Sequence, residues 1–275
     1  MISGMDSLTD YTEANRAAWN QRAPVHASHS LEALIEQFRQ PGFSVLHKPN
    51  EVERLRALEL KGKNVAQLCC NNGRELLSVK NLFGAARCVG FDISDEFIDH
   101  ARALNSAANQ DVEFVRANVL EIPDEFSSQF DLVYVTIGAL GWLPDIAAFF
   151  RVVSNLLKPG GNVLIYEMHP FLDLFDNEEA ALPNPLRVCH SYFKSSPYVE
   201  TDTWDYLSGE KYDGKTSYWF HHKLSDIFTG LIQNGIRITA FDEFDFDISN
   251  VFEHLEKLEA RPPMCYILEG RKSQR

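Results

Sequence analysis

The sequence predicts an α/β fold: a three-layer sandwich around a mostly parallel, seven-stranded Rossmann-like sheet, with an N-terminal helical cover and an inserted aromatic-rich cap after the fifth strand. Three observations carry this expectation. From Lys61 onward, short β-rich runs alternate with helical stretches, which is the pattern of βαβ units. Residues 1–60 carry helical periodicity and no strand pattern. From Tyr192 to Phe220, nine of 29 positions are aromatic against 12% for the whole chain, and the alternation stops there.

In chain order, the helical stretches of the cover are TEANRAAWNQRA, SLEALIEQFRQ closed by Pro41-Gly42, and NEVERLRALEL. The core, residues 61–170, has strands at Val65 to Leu68, Arg87 to Asp92, Val112 to Asn118, Phe130 to Val135 and Asn162 to Met168. Helices are expected near Arg74 to Phe83, Asp95 to Asn109 and Ile146 to Leu157, the last stopped by the turn Lys158-Pro159-Gly160-Gly161. Residues 171–222 form the cap. Residues 223–275 complete the sheet with a helix from Leu224 to Asn234, strands at Ile236 to Phe246 and Met264 to Gly270 around a short helix at Val251 to Ala260, and a polar tail, GRKSQR.

Bulk properties narrow the function. The 45% hydrophobic content suffices for a large core, and the net charge of −13 opposes binding to polyanions, so no nucleic-acid partner is expected. No run approaches the roughly 18 apolar residues of a membrane span. The N-terminus lacks the basic and apolar blocks of a signal peptide, so no membrane partner and a cytoplasmic location are expected. Cys69, Cys70, Cys88, Cys189 and Cys265 are odd in number and never spaced C-x-x-C, which predicts free thiols and no metal centre.

The chemistry concentrates at one edge of the sheet. Val65-Ala66-Gln67-Leu68-Cys69-Cys70-Asn71-Asn72-Gly73-Arg74 makes a tight turn from the first strand into a helix, at the edge where such sheets bind ligands. Asp92, 19 residues beyond Gly73, ends the second strand where a carboxylate can accept both hydroxyls of a ribose, and Ser94 is placed to cap the next helix. With Ala117-Asn118-Val119-Leu120 after the third strand, Phe130-Asp131-Leu132-Val133 in the fourth and Leu157-Lys158-Pro159-Gly160-Gly161 before the fifth, residues 61–170 resemble the class I S-adenosylmethionine-dependent methyltransferases.

The resemblance implies S-adenosylmethionine as cofactor and a small-molecule methyl acceptor. It makes Cys69, Cys70, Asn71 and Gly73 the turn holding the methionine end, Asp92 the ribose ligand, Ile93 a flank of the adenine ring, and Asn118 with Val119 the adenine contacts. Thr136 and Ile137 would lie beside the sulfonium and the acceptor. An N-terminal helix in such proteins often covers the cofactor, which would bring Arg22 to its carboxylate and Trp19 or Tyr11 over the pocket; Asn15, Trp19 and Arg22 share one helical face. The sequence departs from the family pattern where Cys69 and Asn71 stand at positions usually held by glycine and Gln67 replaces an acidic residue. Glycine suits such turns because it tolerates positive φ; asparagine shares that property in part.

Methyl transfer from a sulfonium needs alignment more than a nucleophile. If the acceptor is a hydroxyl or protonated amine, a base must take its proton, and His169, at the end of the fifth strand two residues beyond Glu167, is the candidate. A histidine there equally suits strand-end backbone groups. His221 and His222 are adjacent and point apart, so one ion is not chelated by both. The cap aromatics Tyr192, Phe193, Tyr198, Trp204, Tyr206, Tyr212, Tyr218 and Trp219 are read as a lid, an added core or a homodimer contact. Two rival functions stay open: a protein that binds S-adenosylmethionine or S-adenosylhomocysteine without turnover, and an NAD-dependent oxidoreductase, which the lack of G-x-G-x-x-G disfavours.

Overall fold

A computed structural model of the chain describes residues 7–175, 184–204 and 211–274. Of the cap aromatics, Tyr206 and the side chains of Trp204 and Tyr212 lie outside the described residues.

Strands β1 (Asn64–Leu68), β2 (Arg87–Asp92), β3 (Glu113–Arg116), β4 (Phe130–Val135), β5 (Leu157–Met168), β8 (Ile236–Phe244) and β9 (Cys265–Lys272) form one sheet in the order β3-β2-β1-β4-β5-β9-β8. The first five run parallel, and β9 lies antiparallel between β5 and β8. A separate antiparallel hairpin, β6 (Tyr198–Trp204) with β7 (Lys211–Trp219), belongs to the cap.

Alternation along the strands builds both outer layers. Ala66, Leu68, Val133, Val135, Val163 and Ile165 pack against α5 (Ile146–Leu156) and α6 (Leu224–Gln233) through Phe149, Phe150, Val153 and Leu231. On the other face Val65, Leu132, Tyr134, Leu164 and Tyr166 pack against α2 (Pro49–Ala57), α3 (Arg74–Phe83) and α4 (Asp95–Ala107) through Leu55, Leu76, Leu77 and Leu104. The three layers and seven strands are those the sequence predicts.

Four local expectations need correction. The first two cover helices are one, α1, running 31 residues from Leu8 to Phe38 through Pro24. An interior proline costs roughly 3 kcal/mol, but α1 lies on both α4 and β7, and Ala18, Ala23, Leu34 and Phe38 along it are buried. The Lys158-Pro159-Gly160-Gly161 turn is a bulge inside β5: Phe130 pairs with Leu157, and pairing resumes at Leu132 with Asn162. The polar C-terminal segment is not a free tail, because β9 runs to Lys272, whose ammonium donates to the Ser154 and Leu157 carbonyls at 2.7 and 2.9 Å and so closes the end of α5. The short helix α7 spans only Glu253–Glu256.

Candidate active site

The parallel register brings four strand ends together. Leu68 lies beside Phe91 and Val135, and Asp92 beside Arg116. The Cys70 N–H donates to the Phe91 carbonyl at 3.0 Å and the Ala117 N–H to the Asp92 carbonyl at 2.8 Å, which stitches the turns after β1, β2 and β3 into one continuous edge.

In the turn after β1, Cys69, Asn71 and Gly73 all have positive φ, at 53°, 50° and 72°. The two residues that replace glycines therefore adopt the backbone conformation for which glycine is usually required. Gly73 is fixed a second way, since a Cβ there would stand 2.3 Å from Phe114 Cε1. The Asp92 carboxylate holds this turn: Oδ2 accepts from the Asn71 N–H at 2.8 Å and Oδ1 from the Ser94 N–H at 2.9 Å. Burial pushes the Asp92 pKa up, and the N–H groups of Ser94, Asn71 and Ile93 pull it back. A carboxylate has about four acceptor positions, so acceptor capacity remains on Asp92. Ser94 caps α4, accepting from the Phe97 N–H at 3.2 Å, as the sequence predicts.

Asn118 Oδ1 accepts from the Leu120 N–H at 3.1 Å, Val119 beside it is buried, and Ile93 and Ile137 are half-buried. Past β4, Thr136 is buried and its hydroxyl accepts from Gln67 Nε2 at 3.2 Å, while Gln67 Oε1 is buried with no hydrogen-bond partner. Glu167 binds the next segment through Oε1 to the Gly138 and Met168 N–H groups (2.6 and 2.8 Å) and Oε2 to those of Ala139 and Leu140 (2.9 and 3.2 Å). Burial raises its pKa to about 7 despite these donors.

Helix α1 closes the edge from the side. Asn20 Nδ2 donates to Asp95 at 2.9 Å, its Oδ1 accepts from the Ser94 hydroxyl at 2.6 Å, and Trp19 packs edge-on against Phe97 and Trp142. The Arg22 guanidinium lies 5.0 Å from the Trp19 ring centre and 5.4 Å from that of Trp142. It donates to Glu200 in β6 at 3.1 Å and to Ser217 in β7 at 3.2 Å. Tyr11 packs against Tyr218 and Phe220 of the cap.

His169 is buried and occupied: Nδ1 accepts from the Phe171 N–H at 3.1 Å, capping a 3₁₀ turn at Pro170–Leu174, and Nε2 lies 2.9 Å from Glu243 Oε1 without hydrogen-bond geometry. Burial lowers its pKa, with Glu243 opposing. His221 and His222 do point apart, His221 Nδ1 to Asp173 and His222 Nε2 to the Leu143 carbonyl, both at 2.8 Å. The Asp173–His221 pair spans 48 positions, and no local pattern in the sequence announces it.

This edge combines a left-handed turn and an acidic β2 end with a sheet in which antiparallel β9 lies between β5 and β8. Residues 65–161 match the methyltransferase-domain family. A demethylmenaquinone methyltransferase from Lactococcus lactis subsp. lactis is 31% identical over 120 residues, 42% of this chain and 47% of that protein. The matched stretch spans about half the length of such curated relatives. An S-adenosylmethionine-dependent methyltransferase from Mesorhizobium loti superimposes with a TM-score of 0.54 over 81% of this chain and 97% of that one, at 22% identity. Another, from Clostridium acetobutylicum, gives 0.56 over 93% and 99%, at 14% identity. The family match is thus confined to residues 65–161, and the fold of the chain is that of S-adenosylmethionine-dependent methyltransferases of known structure. Among the described residues no helix is long and apolar enough to cross a membrane.

Proposed function

We propose that the chain transfers the methyl group of S-adenosylmethionine to a small-molecule acceptor. The observation that carries this reading is the left-handed backbone at Cys69, Asn71 and Gly73, locked by Asp92. It supports a working cofactor turn in spite of the missing glycines. The residues suit the cofactor group by group: Asp92 has acceptor capacity for ribose hydroxyls, the Asn118 amide can bond the adenine while Val119 packs beside it, and the unpartnered Gln67 Oε1 can accept from the ammonium of the methionine end. When bound, the sulfonium supplies an activated methyl group. The chain contributes alignment and dryness, through the Glu167-held segment Gly138–Leu140, through Thr136 and Ile137, and through the Trp19–Trp142–Trp219 chain of edge-on rings.

The oxidoreductase reading fits less well. An all-parallel dinucleotide fold runs 3-2-1-4-5-6, whereas β9 here is antiparallel and sits inside the sheet. The likeness to demethylmenaquinone methyltransferase and the charge of −13 favour a small acceptor over nucleic acid. Calorimetric titration with S-adenosylmethionine, S-adenosylhomocysteine and NAD tests the reading. Micromolar binding of the two adenosyl compounds, lost in Asp92→Ala and absent for NAD, is expected; absence of adenosyl binding would overturn it.

A further inference from the structure

Next to the proposed cofactor edge, a cavity of about 20 Å3 lies between the segment after β4 and the cap, with Leu140, Gly141, Glu167, Asp173, Trp219 and His222 in its wall. That is the room of a single water, so it admits one functional group of an acceptor while the body of the molecule stays outside.

Three of these residues could bind that group. Glu167 already accepts from four backbone N–H groups, and His222 spends Nε2 on the Leu143 carbonyl. Asp173 differs. Its Oδ1 accepts from Trp219 Nε1 at 3.2 Å and its Oδ2 pairs with His221 Nδ1 at 2.8 Å. The carboxylate side chain is 11% exposed, and two donors leave about half of its acceptor capacity unused. Since a carboxylate only accepts, Nδ1 of His221 carries a proton, and the opposite nitrogen, Nε2, is buried with no hydrogen-bond partner. In the cavity wall itself, the Tyr266 hydroxyl is buried and unpartnered.

The charge of the wall is one-sided. Glu167 and Asp173 line it, and no described lining residue is a lysine or arginine. Residues 176–183 and 205–210, which flank the described part of the cap, contain neither in their sequence. An anionic group entering would lose its hydration and meet carboxylates with no counter-charge, whereas an ammonium, amine or hydroxyl would find an acceptor held ready.

We propose that the acceptor presents an uncharged or cationic N–H or O–H group to the Asp173 carboxylate, which Trp219 and His221 hold in place, and that acceptors entering as anions are rejected. This rests on the methyltransferase reading and narrows it to a class of substrate. The reacting nitrogen or oxygen then stands between Asp173 and the Glu167-held segment. A cationic amine would first give a proton to the Asp173 carboxylate, and a hydroxyl would pass its proton there on reaction. The lone pair so freed would form the bond to the methyl carbon as the methyl–sulfur bond breaks, leaving S-adenosylhomocysteine.

Calorimetry on protein saturated with S-adenosylhomocysteine separates the two readings. Phenol, benzylamine and phenyl phosphate share a ring and differ in charge. Phenol and benzylamine are expected to bind, each at least tenfold more tightly than phenyl phosphate. In Asp173→Asn, benzylamine affinity is expected to fall at least tenfold while S-adenosylhomocysteine affinity stays within threefold. The acceptor proposal is overturned if phenyl phosphate binds as tightly as benzylamine, if neither phenol nor benzylamine binds the loaded protein, or if Asp173→Asn leaves benzylamine unaffected. Should the wild-type protein not bind S-adenosylhomocysteine, the methyltransferase reading itself falls and this one falls with it. The comparison of the three probes on wild-type protein stands even if the variant fails to fold.

Discussion

The Trp219 ring occupies the space that a side chain on Gly141 would need: a Cβ there would lie 2.2 Å from Trp219 Cε2 and Cζ2. The Phe220 N–H donates to the Gly141 carbonyl at 2.6 Å, so the cap is fastened to the segment after β4 by backbone and ring together. Gly141→Ala must push the indole outward. Overpacking of this kind costs roughly 1–3 kcal/mol, and Trp219→Phe in the same chain should restore part of it by shrinking the ring. A double-mutant cycle from denaturant melts checks this. Strict additivity of the two substitutions would show that the contact is absent.

The turn after β1 gives a contrast between neighbours. Asn71 has φ of 50° with its amide bonded to Asp92, so Asn71→Gly keeps the backbone and is expected to change stability by less than about 1 kcal/mol. Gly73→Ala meets both a left-handed φ and Phe114, and should cost more than about 2 kcal/mol. S-Adenosylhomocysteine affinity should follow the same order, with Asn71→Gly within a few fold of wild type. Equal tolerance at both positions would refute the account of this loop.

Asn15 imitates a strand. From α1 its side chain donates to the carbonyls of Tyr218 and Trp142 at 2.9 and 3.2 Å and accepts from the Tyr218 N–H at 2.7 Å, 203 positions away. Asn15→Ala leaves three backbone groups near the cap without partners. The expected loss is about 1–3 kcal/mol, together with faster proteolytic cleavage in α1 at temperatures where the sheet is intact. Unchanged cleavage kinetics would mean that α1 is held by its aromatic contacts alone.

What the sequence made legible follows from what is local. The strands β1 to β4 alternate or run apolar over four to six residues and end in turn or capping residues, so they, Ser94 and the edge at which they end could be read directly, as could the second half of β5 from Asn162 to Met168. The conformation at Cys69 and Asn71 could not, because it depends on Asp92 reaching across from β2. Nor could the pairing of Asp173 with His221 or of Arg22 with Glu200, where the partners meet only after the cap has folded back on α1. The continuity of α1 through Pro24 was hidden for a related reason: tertiary contacts outweigh a local break.

Glu51 supplies a test of pH dependence away from the proposed site. It is buried on α2, accepts from the Tyr134 hydroxyl, and is raised from its ordinary value of 4.5 to about 7, mainly by burial, with Glu75 adding to the rise and Tyr134 and Lys48 opposing it. A carboxyl whose folded pKa lies above its unfolded one stabilises the fold below about 4.5, and that contribution is lost as pH rises through about 7. The loss is at most about 3 kcal/mol, because each tenfold change in proton affinity between the folded and unfolded chain is worth about 1.36 kcal/mol. Glu167 has the same sign, whereas burial lowers the pKa values of His169 and His222, which erodes stability on the acid side instead. The wild-type profile alone therefore mixes opposing slopes, and a variant is needed to isolate one group. Glu51→Gln keeps an acceptor for Tyr134 and removes the charge. It should match wild type near pH 4 and exceed it near pH 8, by roughly 1–3 kcal/mol in denaturant melts. A gap that is constant across this range would assign the effect of Glu51 to packing rather than to its ionisation.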